Sequence, residues 1–154
     1  MKLSTYTDYA LRTLTFLALK EEGLSTIAEI SDAYGISRNH LMKVVQDLAQ
    51  GGYVESIRGR GGGLRLGRPA ELIRIGDVVR YTEQDMCIVE CFAADAGPRG
   101  CKLAPACVLK TALGEALRAF LAVLDQYTLA DLARPRLSLA SLLAMPRPPA
   151  PAGA

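Results

Sequence analysis

Three cysteines, Cys91, Cys101 and Cys107, fall within the Gly/Pro-rich stretch ECFAADAGPRGCKLAPAC of a chain otherwise patterned for helices. Thiolates are soft donors that hold zinc or iron–sulfur clusters, usually in sets of four. Intervals of nine and five residues are not the paired knuckles of a zinc ribbon, and no histidine lies nearby to complete a Cys3His site. Loops of that width suit wrapping a cluster. The competing reading is three reduced cysteines buried as small hydrophobes. Gly97, Pro98 and Gly100 weigh against it, because they break any regular element that would bury them. Cys87, four residues before Cys91, would share a helix face with it, either as packing or as a substitute ligand. A fourth ligand for the three is missing from the stretch itself.

A second constellation is basic. Ser37, Arg38, Asn39 and His40, followed by Lys43, open a helical segment, and Arg58 and Arg60 stand among the glycines of RGRGGG. Arginine and asparagine are shaped for bidentate contacts to guanine and adenine edges, and a helix amino terminus suits a phosphate. The bland reading is a solvated helix face and an ordinary hairpin loop. Residues 37–68 carry Arg38, Lys43, Arg58, Arg60, Arg65 and Arg68 against only Asp47 and Glu55, whereas residues 69–90 are predominantly acidic. With a net charge of only +2, that localisation points to one anionic partner surface. His40, the only histidine, is read as a DNA or surface residue and not as a metal ligand.

The elements that must position these groups follow from apolar spacing. Residues 5–20 predict a helix, with Tyr6, Tyr9, Ala10, Thr13, Leu14 and Leu17 on one face and Thr5 with Asp8 as a cap. A short helix capped by Ser25 or Thr26 ends at Gly35, and Ser37 caps the next, whose inner stripe is Leu41, Val44, Val45 and Leu48. YVESI and LRLG then alternate as two strands. Helix, short Gly-containing turn, helix and hairpin in this order is a winged helix-turn-helix, whose second helix enters the major groove.

Pro69 opens a connector, residues 73–83 predict a small helix, and residues 108–133 a long amphipathic one. A lone helix of that kind calls for a partner helix, most simply from a second copy. The expected division is 1–68 for DNA binding, 69–145 for connector, cysteine loop and dimerisation helix, and 146–154 for a proline-rich disordered tail. The expected fold class is mainly α with a small β-hairpin wing.

Composition limits the alternatives. A chain of 154 residues with half its residues apolar can build one ordinary core. No apolar run is long enough to span a membrane, and the amino terminus lacks a secretory signal pattern, so a cytoplasmic protein with reduced cysteines is expected. No nucleophile–base pairing or phosphate loop suggests an enzyme.

The segments TYTDYALRTLTFLAL, YGISRNHLMKVVQDLAQGGYV, SIRGRGGGLRLGRPA, IRIGDVVR and ACVLKTAL…YTLADL carry a resemblance. Over residues 1 to about 145 the chain resembles the NsrR group of nitric-oxide-sensing repressors, in the winged-helix family that also contains the iron–sulfur regulator IscR. The resemblance implies a homodimer that binds palindromic double-stranded operator DNA with a [4Fe–4S] cluster and is released by nitric oxide. It implies Cys91, Cys101 and Cys107 as cluster ligands, with Asp8 of the partner subunit as the fourth. From the residues alone, Asp8 is a first-turn carboxylate favoured by the helix dipole, and Arg12 its neighbour or a DNA contact.

The histidine by which IscR holds a [2Fe–2S] cluster has no counterpart at Val108, Leu109 or Lys110, although [2Fe–2S] stays the alternative cofactor. The nine-residue interval and the extra Cys87 depart from the group's pattern. Two rival functions remain open. One is a thiol–disulfide or iron–sulfur-status regulator; the other is an electron-transfer iron–sulfur protein whose basic face docks an acidic partner.

Overall fold

The computed structural model describes residues 2–20, 23–83, 85–89, 92, 101, 103 and 106–145. Cys91 and the expected tail at 146–154 lie outside the described residues. Helix α1 (Thr5–Leu19) is the centre of the fold. Its cap is Ser4 and not Thr5: the Ser4 hydroxyl accepts the Thr7 amide at 3.1 Å. Ala10, Leu14, Leu17 and their neighbours are buried on several sides at once, because α1 meets helices and hairpin all around.

Helix α2 (Ile27–Tyr34) starts on a capping box between Thr26 and Glu29 and stops at Gly35, whose backbone is left-handed. Helix α3 (Arg38–Gln50) buries the four residues its spacing marks, Leu41, Val44, Val45 and Leu48. Ser37 occupies the position before α3, yet its hydroxyl makes no capping bond, so it does not cap as expected. Strands β1 (Val54–Ile57) and β2 (Gly63–Leu66) pair antiparallel, with Val54 opposite Leu66 and Ile57 opposite Gly63. The turn between them needs glycine: φ is 104° at Gly59 and 77° at Gly61. Ser25 pairs its amide and carbonyl with Leu64 at 2.9 and 2.7 Å, which fastens the wing to the start of α2.

A 3-10 turn (Ala70–Leu72) leads to α4 (Ile75–Thr82), and α5 (Val108–Leu124) follows the cysteine stretch. The helix expected over 108–133 stops at Leu124 for two reasons. Thr128 and Asp131 form a second capping box that begins α6 (Leu129–Leu132). Tyr127 and Leu129 also exchange backbone hydrogen bonds with Ile75 and Ile73 at 2.9 and 2.8 Å, which holds the intervening residue extended. Helix α7 (Arg136–Leu142) returns to α1, where Arg136 donates to the carbonyls of Leu19 and Ala18 at its unsatisfied carboxyl end.

The buried cluster unites Leu14, Ile30, Leu41, Val44 and Leu48 with Ile73, Val78, Val79 and Leu129. Helix α5 stands apart from it. None of its seventeen residues is buried, and only Leu121 and Leu124 at its end pack against that core.

Gly51, which ends α3, has the Tyr81 ring 2.7 Å from where a Cβ would stand. Gly51→Ala is expected to destabilise the fold by about 1–3 kcal/mol through overpacking. Urea denaturation checks this, and an unshifted midpoint would mean that the ring yields freely.

Candidate DNA interface and thiol segment

Arg38, Asn39, His40 and Lys43 are all solvent-exposed on α3, because the buried stripe consumes the opposite face. Arg38 has only a long ion pair with Asp32, 3.7 Å across water-exposed groups, worth well under 1 kcal/mol. The His40 ring lies tilted beside Tyr9, centroids 6.2 Å apart. Arg58 and Arg60 are exposed on the wing. Two other arginines of the basic block are committed internally. Arg65 pairs with Glu55 at 2.8 Å across the hairpin. Arg68 donates to the carbonyls of Gly51 and Gly52 at 2.6 and 3.1 Å and stacks on Tyr53 at 4.4 Å.

An open, mainly apolar groove of about 510 Å³ runs between α3 and the wing, lined by Met42, Gln46, Gln50, Ser56 and Arg58. Helix and wing therefore share one face. Sequence reasoning missed Met42 and Gln46 there, although both follow Arg38 at four-residue intervals and Met42 is 55% exposed. A thymine methyl and an adenine edge are the groups such side chains match.

No disulfide joins the described cysteines. Cys101 is exposed, while Cys87 and Cys107 are half-buried. The Cys87 amide donates to Asp85 Oδ1 at 2.7 Å. Cys107 sits at the residue before α5, its side chain makes no capping bond, and no acidic residue occupies the first turn of that helix. The amides opening α5 thus offer donors and a positive dipole end to an anionic neighbour beside a thiolate. Among the described residues no three Cys, His, Asp or Glu side chains gather as a metal site. The donor set nonetheless suits a soft metal cluster: two accessible thiols flank a five-residue interval and leave positions for donors from elsewhere.

Asp8 faces outward from the first turn of α1. Arg12 Nε reaches its two oxygens at 2.9 and 3.1 Å, with both side chains roughly half exposed. An exposed i,i+4 pair contributes only about 0.3–0.5 kcal/mol. Asp8 can leave it for a better partner at small cost.

The amino end of α1 and the carboxyl end of α4 are joined directly. The Ser4 amide donates to Glu83 Oε1 at 2.7 Å, and Thr7 donates to the buried Thr82 hydroxyl at 2.8 Å. Burial pushes the Glu83 carboxyl up, but hydrogen bonds from Thr7 and Ser4 outweigh it and hold the group below its usual range. Tyr6 of α1 donates to Asp47 Oδ2 at 2.8 Å, while the Tyr81 hydroxyl of α4 meets the Asp47 carbonyl and Oδ1 at 2.9 and 3.1 Å. Burial, then the Asp47 hydrogen bond and charge, push the Tyr6 phenol far above its usual value. Nothing in the sequence pattern marks Asp47 except that it is an acid inside a basic block.

The pattern that defines Rrf2, described as an iron-dependent transcriptional regulator, matches residues 3–135. The chain is 57% identical over 146 residues to the HTH-type transcriptional regulator NsrR of Bacillus subtilis, covering 94% of this chain and 99% of that one. Among solved structures, CymR, the global cysteine regulator of B. subtilis, superposes with a TM-score of 0.70 at 32% identity over 87% of this chain and 97% of its own. IscR of T. potens gives the same TM-score at 26% identity, covering 88% of each chain.

Proposed function

The chain belongs to the Rrf2 family of transcriptional regulators, a non-enzymatic, DNA-binding class, and from that premise we propose that it is a nitric-oxide-responsive repressor. The active species is a homodimer that holds palindromic operator DNA while loaded with a [4Fe–4S] cluster and lets go on exposure to nitric oxide. Cys91, Cys101 and Cys107 hold the cluster, and Asp8 of the partner subunit supplies the fourth donor. When bound, the cluster supplies iron that reacts with nitric oxide. The observation that carries this reading is the pair of free thiols, Cys101 and Cys107, leading into a helix that buries none of its own residues.

The chain's residues then have distinct tasks. The thiolates fix the cluster at the amino end of α5, whose open amides favour negative charge there. Asp8 offers an oxygen donor, harder and weaker toward iron than sulfur, which makes its iron the exchangeable one. Arg12 holds that carboxylate whenever it is not engaged. Arg38, Asn39, Lys43, Met42 and Gln46 face the major groove, with Ser37 and His40 beside them, and Arg58 and Arg60 extend the wing toward the backbone or minor groove. Each role rests on exposure and position along α3 and the wing.

Anaerobic purification tests the proposal. Iron and acid-labile sulfide in equal amounts, with operator binding abolished by nitric oxide, support it. A colourless protein with the same operator affinity sinks it. Reversible loss of binding on oxidation without iron would favour a thiol switch like that open to the exposed Cys101. On DNA, Arg38→Ala is expected to cost about 1–3 kcal/mol and relax preference at one base position. Arg60→Ala is expected to lower the slope of log affinity against log salt by about 1, with sequence preference kept. Electrophoretic titrations at several salt concentrations separate the two.

A further inference from the structure

We infer that Asp47 is the positioning residue through which the cysteine segment and α1 set the tilt of the DNA-reading helix. The inference deepens the repressor reading above and rests on it. Among the described residues, the hydrogen bonds from α1 and α4 to α3 all end on Asp47: Tyr6 reaches one carboxylate oxygen, and Tyr81 reaches the other and the backbone carbonyl. Tyr6 lies two residues before Asp8, and Tyr81 closes the helix that leads into the cysteine stretch. The Ser4–Glu83 and Thr7–Thr82 bonds make those two ends one unit, so a pull on either reaches both phenols.

The geometry supplies a lever. Asp47 stands in the last turn of α3 and Arg38 in the first, nine residues apart, or about 14 Å along the axis. A tilt of about 5° at the Asp47 end shifts the Arg38 end by about 1 Å, enough to spoil bidentate base contacts that tolerate little displacement. Helices move as rigid bodies, and coupling needs an element whose arrangement both sites bias. Asp47 receives bonds from α1, whose Asp8 completes the partner's cluster, and from α4, which leads to its own. It therefore reports both clusters to one recognition helix. The close approach that this requires is built in: Gly51 leaves room for the Tyr81 ring, which a side chain there would displace.

The test compares operator affinity of cluster-loaded and cluster-free protein, for the wild type and the Tyr6→Phe/Tyr81→Phe double variant. Hydrogen exchange of the amides over residues 44–51 is followed in both forms. The wild type should show at least a tenfold affinity ratio between the two forms and slower exchange when loaded. The double variant should keep its iron and sulfide, lose at least fivefold of that ratio, and show the same exchange in both forms.

A merely structural role would weaken loaded and cluster-free binding alike and leave the ratio intact, and that result overturns the inference. A wild-type ratio near one overturns the repressor reading itself, and this inference with it. Should the double variant fail to fold, Tyr6→Phe and Tyr81→Phe singly are each expected to lower the ratio at least twofold. Singles with an undiminished ratio overturn the inference equally.

Discussion

Cys107→Ser is expected to lower iron and acid-labile sulfide per chain at least tenfold and to remove nitric-oxide-sensitive operator binding, while making the cluster-free polypeptide slightly more stable. The expectation comes from where Cys107 sits. It occupies the residue before α5 and its side chain makes no capping bond. Serine is among the best residues at that position, since its hydroxyl can accept one of the orphan amides of the first turn. The substitution therefore removes a soft ligand while offering the helix a cap worth about 0.5–1 kcal/mol. A cluster cannot be held as firmly by an alcohol, which stays protonated where a thiol ionises under iron. Elemental analysis and visible absorption of anaerobically prepared protein measure the loss, and thermal unfolding of the cluster-free form measures the gain. A variant that kept wild-type iron would remove Cys107 from the ligand set, whatever happened to DNA binding.

The same contrast between local and distant causes explains what the sequence could tell. The helix-turn-helix was readable because its determinants are local. The stripe of Leu41, Val44, Val45 and Leu48 recurs at helical spacing, Thr26 and Glu29 sit three apart, and Gly35 allows the left-handed stop. The end of α5 was not. Apolar spacing runs on through Tyr127 and Leu129, and what interrupts it is backbone pairing with Ile73 and Ile75, more than fifty residues earlier.

In the basic block, composition could not separate exposed Arg38 and Arg60 from Arg65 and Arg68. Glu55 and the Gly51 and Gly52 carbonyls claim the latter two only once the hairpin has formed. Asp47 was invisible for the same reason, since its phenol partners lie 41 and 34 positions away in the chain. The thiol stretch suggested soft-metal chemistry by residue type alone, whereas the fourth donor proposed for it would come from a second copy of the chain.

Assembly is also where the second large effect is expected. Leu109, Ala112, Ala116, Ala119 and Val123 alternate at three- and four-residue spacing along α5, and every one is exposed in the single chain, Leu109 at 64% and Val123 at 52%. That is a heptad seam of small and aliphatic residues with nothing on it, the pattern by which two helices pack closely. Ala116→Glu should leave the protomer's fold unchanged, because the position touches solvent there.

In a pair of close-packed helices the same change buries a carboxylate without a partner, at a cost of several kcal/mol. Light scattering should then give a mass near 16.5 kDa in place of twice that. Affinity for a full palindrome should fall at least a hundredfold, because two linked half-site contacts exceed one by about 10²–10⁴. Affinity for an isolated half-site should not change, since Arg38 and the wing are untouched. A variant that stayed dimeric and kept full operator affinity would place the seam on another face. It would also leave Asp8 without the partner cluster it is proposed to complete.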